Sequence, residues 1–327
     1  MPDIALSEVT IRTLLTDFHN NQQICGFEAF VVMKTEPRLK AISLSDKKNS
    51  LGKDFRTVLK EMVFSVIGDN YLATEAEYAA GTQLADNQHK LLILKQEGSF
   101  SPFSFLDTNA ATPVFSSEDL SDSIGLIFKI RKGNDAIWCY QHLWSIMVPN
   151  KKKTGFMARI NKFENETMFE EQTDPLLTIA KKIDILIING HLVTGNVSLL
   201  QRNFGFQDYI YQAATRAISN ITSKDLVANA DKLTDYIGRG KPKYAKKMMR
   251  IGPSKVLALS TEELLNRIRT VERWKDKFHI DETKNQIVLE TYSEVENLID
   301  LFDERFTRSE ITNTEYDTDV KTVAQPI

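Results

Sequence analysis

The stretch Ile183-Asp-Ile-Leu-Ile-Ile-Asn189-Gly190-His-Leu-Val-Thr194 constrains the fold more than any other part of the sequence. Asn-Gly between two β-branched runs favours a type I′ turn, because both central positions need positive φ and these residues tolerate it. The pair predicts an antiparallel hairpin. The apolar run before it predicts a strand buried on both faces over part of its length.

Strand-type composition extends upstream. Ile124–Ile130, Ala136–Val148, Phe156–Phe163 and Thr167–Glu170 are separated by turn residues and predict further strands. Gly26–Met33 reads as an earlier one. Two helices are expected nearby, over 7–20 with Ser7 as N-cap and over 49–68, where apolar residues recur at three and four. The Ser-, Pro- and Asn-rich stretch 98–122 predicts a long surface loop.

After Asn196 the strand signal largely stops. Helical periodicity covers 197–204, 207–220, 224–237, 243–251, 261–274 and 293–302, with a late strand over 286–291. Ser223 with Asp225, and Ser260 with Glu262 and Glu263, are helix-start signals, and Pro242 suits a first helical turn. The reading is an α+β fold: residues 1–196 form a mixed domain with an antiparallel sheet, and residues 197–327 form a mainly helical domain.

Composition narrows the function. The net charge is −3 and the pI near 6.0, so any binding to a polyanion has to be local. The two cysteines, Cys25 and Cys139, are too few for a disulfide scaffold and are expected to be free thiols in a reducing compartment. Met1–Glu8 has no basic region followed by an apolar run, which predicts no secretory signal. No apolar stretch approaches the roughly 20 residues of a membrane helix.

The near-neutral total hides a separation. Residues 239–280 hold twelve basic residues against four acidic ones, and residues 281–327 hold twelve acidic against four basic, nets of +8 and −8. At about 100° per residue, Lys243, Lys246, Lys247 and Arg250 form one stripe of the expected helix, with Tyr244, Ala245, Met248, Met249 and Ile251 opposite. Arg239, between two glycines, Lys241, and Lys255, after Gly252 and Pro253, flank it. Such a row suits a phosphate backbone, with glycine turns offering backbone N–H groups as well. Two plainer readings compete: a solvated face, and pairing with the acidic segment that follows. Lys151, Lys152 and Lys153 could also touch phosphate, although such a run ordinarily solvates a hairpin tip.

Catalytic signals are poor. There is no P-loop and no Gly-x-Ser-x-Gly elbow, the five histidines are scattered, and neither cysteine has metal-site spacing. No cofactor is expected, and His191 reads as structural. Glu282-Thr-Lys284 supplies only the Glu-x-Lys half of a metal-dependent nuclease motif; Asp281 beside it falls on the wrong side of an extended segment.

Several stretches in order resemble the KwaB subunit family of the bacterial Kiwa anti-phage defence system. They are Lys182–Leu192 with Phe204-Gly-Phe206, Tyr244–Ile251 with Val256-Leu257, Trp274–Asp281 and Phe306–Tyr316, all within residues 175–318. Leu200 and Gln201 stand where the family pattern expects a Phe-Glu pair, so no role for that Glu carries over. The resemblance implies a cytoplasmic, non-enzymatic effector that binds DNA and impedes phage replication or transcription. It also implies recruitment to the inner face of the membrane by a membrane-embedded KwaA subunit, with a homo-oligomer expected. The charge pattern, not the resemblance, places the DNA contacts at Arg239, Lys241, Lys243, Lys246, Lys247, Arg250 and Lys255. The alternatives are a metal-dependent nuclease using Glu282 and Lys284, and an oligomeric scaffold without DNA affinity.

Overall fold

The computed structural model describes residues 6–44, 52–81, 90–98, 100–107, 112–144, 155–160, 167–172, 177–252, 254–304, 306–308 and 315–317. The chain divides into two compact units. One comprises Met1–Tyr78, Lys90–Gln96 and Pro102–Asn196, and the other Ala79–His89, Glu97–Ser101 and Val197–Ile327.

In the first unit, α1 (Glu8–Asn20) begins where expected, with the Ser7 hydroxyl accepting from the Thr10 N–H. The helix α2 (Phe55–Val66) begins later than the sequence suggests. Asp54 is extended and accepts the Thr57 N–H at 2.7 Å, so this short acidic side chain fixes the start. The strands are β1 (Gly26–Met33), β2 (Leu39–Ala41), β3 (Tyr78–Ala80), β4 (Leu91–Lys95), β5 (Ser123–Lys132), β6 (Asp135–His142), β7 (Gly155–Ile160), β8 (Thr167–Gln172), β9 (Ile185–Ile188) and β10 (His191–Thr194). Eight of them form one sheet in the order β2-β1-β5-β6-β9-β10-β4-β3, while β7 and β8 pair separately. The expected strand over Ala136–Val148 ends at His142. Residues 145–154, including Lys151, Lys152 and Lys153, lie outside the described residues.

Register explains the core. Alternate residues of a strand face one side, so Phe27, Ala29, Val31 and Met33 of β1 join Leu126, Phe128 and Ile130 of β5 on one face. Ile137, Cys139, Leu186 and Ile188 continue that face, against Ile11, Leu15 and Phe18 of α1 and Leu59 and Val63 of α2. The opposite phase is buried too, through Val32, Ile127, Ile185, Ile187 and Leu192, as the unbroken apolar run of β9 predicts. Asn189 and Gly190 have φ of 47° and 73°, the geometry the hairpin requires. Although last in sequence, this hairpin is interior to the sheet, because β10 also pairs with β4.

A buried polar knot ties the ends of β6, β9 and β10. Asp184 accepts the His142 N–H at 2.8 Å and bonds from Lys182 and Asn196, while its carbonyl accepts from the Thr194 hydroxyl at 2.6 Å. Tyr140 lies across β5 at Gly125, where a Cβ would sit 2.2 Å from the ring, so only glycine fits. The expected surface loop over 98–122 needs correction. Phe100, Phe103, Leu106 and Leu120 are buried within it, because the apolar area of these side chains outweighs the polar residues between them. Cys25 and Cys139 are free and buried.

The second unit contains α3 (Val197–Asn203), α4 (Phe206–Thr222), α5 (Asp231–Ile237), α6 (Pro242–Arg250), α7 (Thr261–Thr270) and α8 (Tyr292–Phe302). Between the last two helices lies the hairpin β11 (His279–Asp281) and β12 (Gln286–Val288), and β13 (Phe306–Arg308) pairs with β14 (Glu315–Asp317). The helix expected over 224–237 forms only from Asp231. Before it, Ile287 donates to the Leu226 carbonyl and accepts from the Ala228 N–H, holding 226–228 extended, and Asp225 has φ of 52°. The expected 261–274 helix stops at Thr270, where Val271 turns extended.

Candidate nucleic-acid interface

The basic helix forms as its pattern dictates. The turn leaving α5 passes Gly240, at φ 76°, and Lys241 is extended before Pro242 opens α6. Proline's missing N–H costs nothing in a first turn. Tyr244, Ala245, Met248 and Met249 are buried, fixing which face of α6 turns inward.

The seven candidate cations then have unequal fates. Arg239, Lys241, Lys243 and Lys255 are exposed and Lys246 is half-buried. Among the described residues none of these five forms an ion pair. Lys247 is shared with α8: its Nζ lies 3.2 Å from Glu296 Oε1, with the two side chains 41% and 44% exposed. Arg250 departs from the expectation. Its guanidinium is 7% exposed and pairs with Asp303 at 2.8 Å. Arg250 ends the helix where its chain turns inward, and a guanidinium buried against a carboxylate is not available to a phosphate.

Glu296 is held by more than Lys247. The buried Tyr236 donates its hydroxyl to Glu296 at 2.9 Å. Burial alone would raise the Glu296 carboxyl, but hydrogen bonds from Tyr236 and Lys247 and the charges of Lys247 and Arg239 hold it below the usual range. Burial and that same hydrogen bond push the Tyr236 phenol upward. The reading of the basic segment as a partner for the acidic one therefore holds for two of the seven cations.

Sequence reasoning missed the contribution of α8, although a signal existed. Thr291 and Glu294 form a capping box that sets where the helix starts. Tyr292, Glu296 and Asp303 then fall at i, i+4 and i+11, one stripe of a helix turning about 100° per residue. Arg239 meets the same stripe. Its guanidinium carbon lies 4.4 Å from the ring centroids of both Tyr244 and Tyr292. Lys243 Nζ stands 5.0 Å from the Tyr244 ring.

Three of the five later bases of the segment are paired nearby. Arg267 pairs with Glu263 at 2.8 Å, Lys275 with Glu272 at 2.7 Å and Arg269 with Glu282 at 2.5 Å. Glu282 is thus engaged by an arginine. Asp281 closes its own turn, accepting from the Thr283 N–H and hydroxyl and the Lys284 N–H, and the Thr283 bonds hold it below the usual carboxylate range. Among the described residues, no group of three His, Cys, Asp or Glu side chains could hold a metal ion. His191 keeps its Nδ1 3.0 Å from the Asn189 carbonyl, within its own turn.

Fold and surface together define a class: a two-unit α+β protein whose helical unit displays a short cationic helix. The particular family follows from comparison. A model of the Kiwa protein KwaB-like family matches residues 120–312, more than half of the chain, and the chain belongs to that family. This links it to Kiwa anti-phage defence, a multi-component system. The match runs from the approach to β5 past the end of α8, starting well upstream of the resemblance noted from the sequence. No curated protein and no solved structure matches the chain. Among the described residues, no helix is long and apolar enough to cross a membrane.

Proposed function

We propose that this chain is a DNA-binding effector of Kiwa defence that grips duplex phosphates largely without sequence preference and impedes phage replication or transcription. One observation carries the reading: Arg239, Lys241, Lys243, Lys246 and Lys255 cluster along α6 and its flanking turns, unpaired among the described residues, over a buried apolar face. Cations so placed bind phosphate by releasing condensed counterions, a term that does not read bases. Five contacts correspond to a slope of about −4 to −5 in log K against log salt. The protein would act at the cytoplasmic face of the membrane as a homo-oligomer docked on a membrane-embedded KwaA subunit.

The deciding measurement is equilibrium binding of unrelated duplexes across a salt series, with wild type and the Lys243→Glu, Lys246→Glu double variant. Comparable affinity for all duplexes, a steep slope and a uniform loss in the variant support the reading. A slope near zero refutes it. Nicking of plasmid with Mg²⁺ or Mn²⁺ present would favour the nuclease alternative. Co-purification with the membrane subunit and the mass in solution test the assembly.

A further inference from the structure

Of the five cations, Arg239 is the one set against two aromatic rings among the described residues, and one of those rings comes from outside the basic segment. It sits on a turn flanked by Gly238 and Gly240, where a long side chain would otherwise sample many rotamers. Its guanidinium carbon lies 4.4 Å from the centroids of two tyrosine rings, Tyr244 from α6 and Tyr292 from α8. None of its N–H donors bonds to another described residue. A guanidinium held against two rings, exposed and with its donors unspent on described residues, suits bidentate capture of a phosphate.

We infer that Tyr292 is a positioning residue for DNA binding: with Tyr244 it holds the Arg239 guanidinium against two rings, so that its N–H donors are preorganised for one backbone phosphate. This rests on the DNA-binding reading and adds a member from the acidic helix. Tyr292 is 37% exposed and also stands 6.0 Å from the Tyr236 ring and 5.3 Å from Lys232 Nζ, so the melting temperature must be read beside affinity for any change there. Tyr244 forms the other jaw but is buried, so removing it would disturb α6 itself.

The geometry makes Tyr292 matter through its ring, not its hydroxyl. It also predicts that losing the ring weakens binding without changing the charge, because an unclamped arginine must be ordered on each encounter. A lysine at 239 keeps the charge but lacks the planar fork.

The test is binding of one duplex oligonucleotide to the full-length protein, over a salt series, for Tyr292→Ala, Tyr292→Phe, Arg239→Ala and the Tyr292→Ala, Arg239→Ala pair, with melting temperatures alongside. Tyr292→Phe is expected to match wild type. Tyr292→Ala and Arg239→Ala should each bind about tenfold more weakly, and the pair no more weakly than Arg239→Ala alone. Additive losses, or a Tyr292→Phe loss as large as that of Tyr292→Ala, would overturn the inference. So would unchanged affinity in Tyr292→Ala where Lys243→Glu, Lys246→Glu binds poorly, a result that leaves the DNA reading standing. If neither Tyr292→Ala nor the lysine reversals affect binding, the DNA reading fails and the clamp with it.

Discussion

The basic segment contains two stretches, one free of acids in sequence and one interleaved with them, and their bases fare differently. Around α6, five cations form no ion pair among the described residues, although the charge of Arg239 reaches Glu296. Around α7 and the turn after it, Arg267, Arg269 and Lys275 are each paired. The difference lies in where the acids sit. No acid occurs between Arg239 and Ser260, whereas Glu262, Glu263, Glu272 and Asp276 are interleaved with the later bases. Pairs such as Glu263 with Arg267 meet because four residues make about one helical turn. Net charge therefore does not tell which cations stay out of ion pairs; the spacing of opposite charges does. Long-range partners refine the result, since α8 withdraws Arg250 fully and Lys247 in part.

The sharpest test of that refinement is Asp303→Ala. The change removes the carboxylate 2.8 Å from the buried Arg250 guanidinium, and breaking a buried pair by removing one partner costs about 3–5 kcal/mol. Urea denaturation should show a large drop in midpoint. A change under about 1 kcal/mol would mean that Arg250 reaches solvent when released and belongs with the exposed cations after all.

Next in size is the contrast between the stretches. Reversing Lys243 and Lys246 to Glu should cost about 3 kcal/mol of DNA binding, roughly a hundredfold, with little change in stability. Reversing Arg267 and Lys275 to Glu should leave affinity within about threefold, because both are already neutralised by neighbours. Equal losses in the two variants, measured on one duplex at one salt concentration, would show that only total charge matters.

The same contrast shows what was legible in the sequence. The Asn189-Gly190 hairpin, the α1 cap at Ser7 and the inward face of α6 rest on neighbouring residues, and all three read directly. The expected helix from Lys224 failed because Leu226 and Ala228 hydrogen-bond Ile287, some sixty positions away, and extended pairing overrides local helical periodicity. The late start of α2 failed differently: Asp54 caps it immediately before the apolar pattern begins at Phe55. At the candidate interface, the stripe was visible but the fate of Arg250 was not. A basic residue at a helix end ordinarily reads as solvated, and its burial depends on Asp303 across the unit. The Tyr292, Glu296 and Asp303 stripe of α8 was legible in principle, had the capping box at Thr291 been used to set the helix phase.

The smallest expected effect concerns the pair between the two classes, Lys247 and Glu296. Both side chains are more than a third exposed, so the ion pair itself contributes under about 1 kcal/mol and fades with salt. Lys247→Ala should thus shift stability by about 0.5 kcal/mol or less. Glu296→Ala should cost more, about 1 kcal/mol, because Glu296 also accepts the hydroxyl of the buried Tyr236. A pH series separates the terms. Glu296 is held below its usual range in the folded state, so it binds fewer protons than in the unfolded chain. Its stabilisation is present above the ordinary carboxylate pKa and is lost as pH falls through the lower folded value. Glu296→Gln removes that dependence while leaving an oxygen to accept from Tyr236. The expected outcome is a Glu296→Gln protein close to wild type at pH 7 whose stability falls less steeply than wild type between about pH 5 and pH 3. Identical acid profiles would show that Lys247 spends its time in solvent, placing it with Lys243 and Lys246 as a sixth unpaired cation of α6.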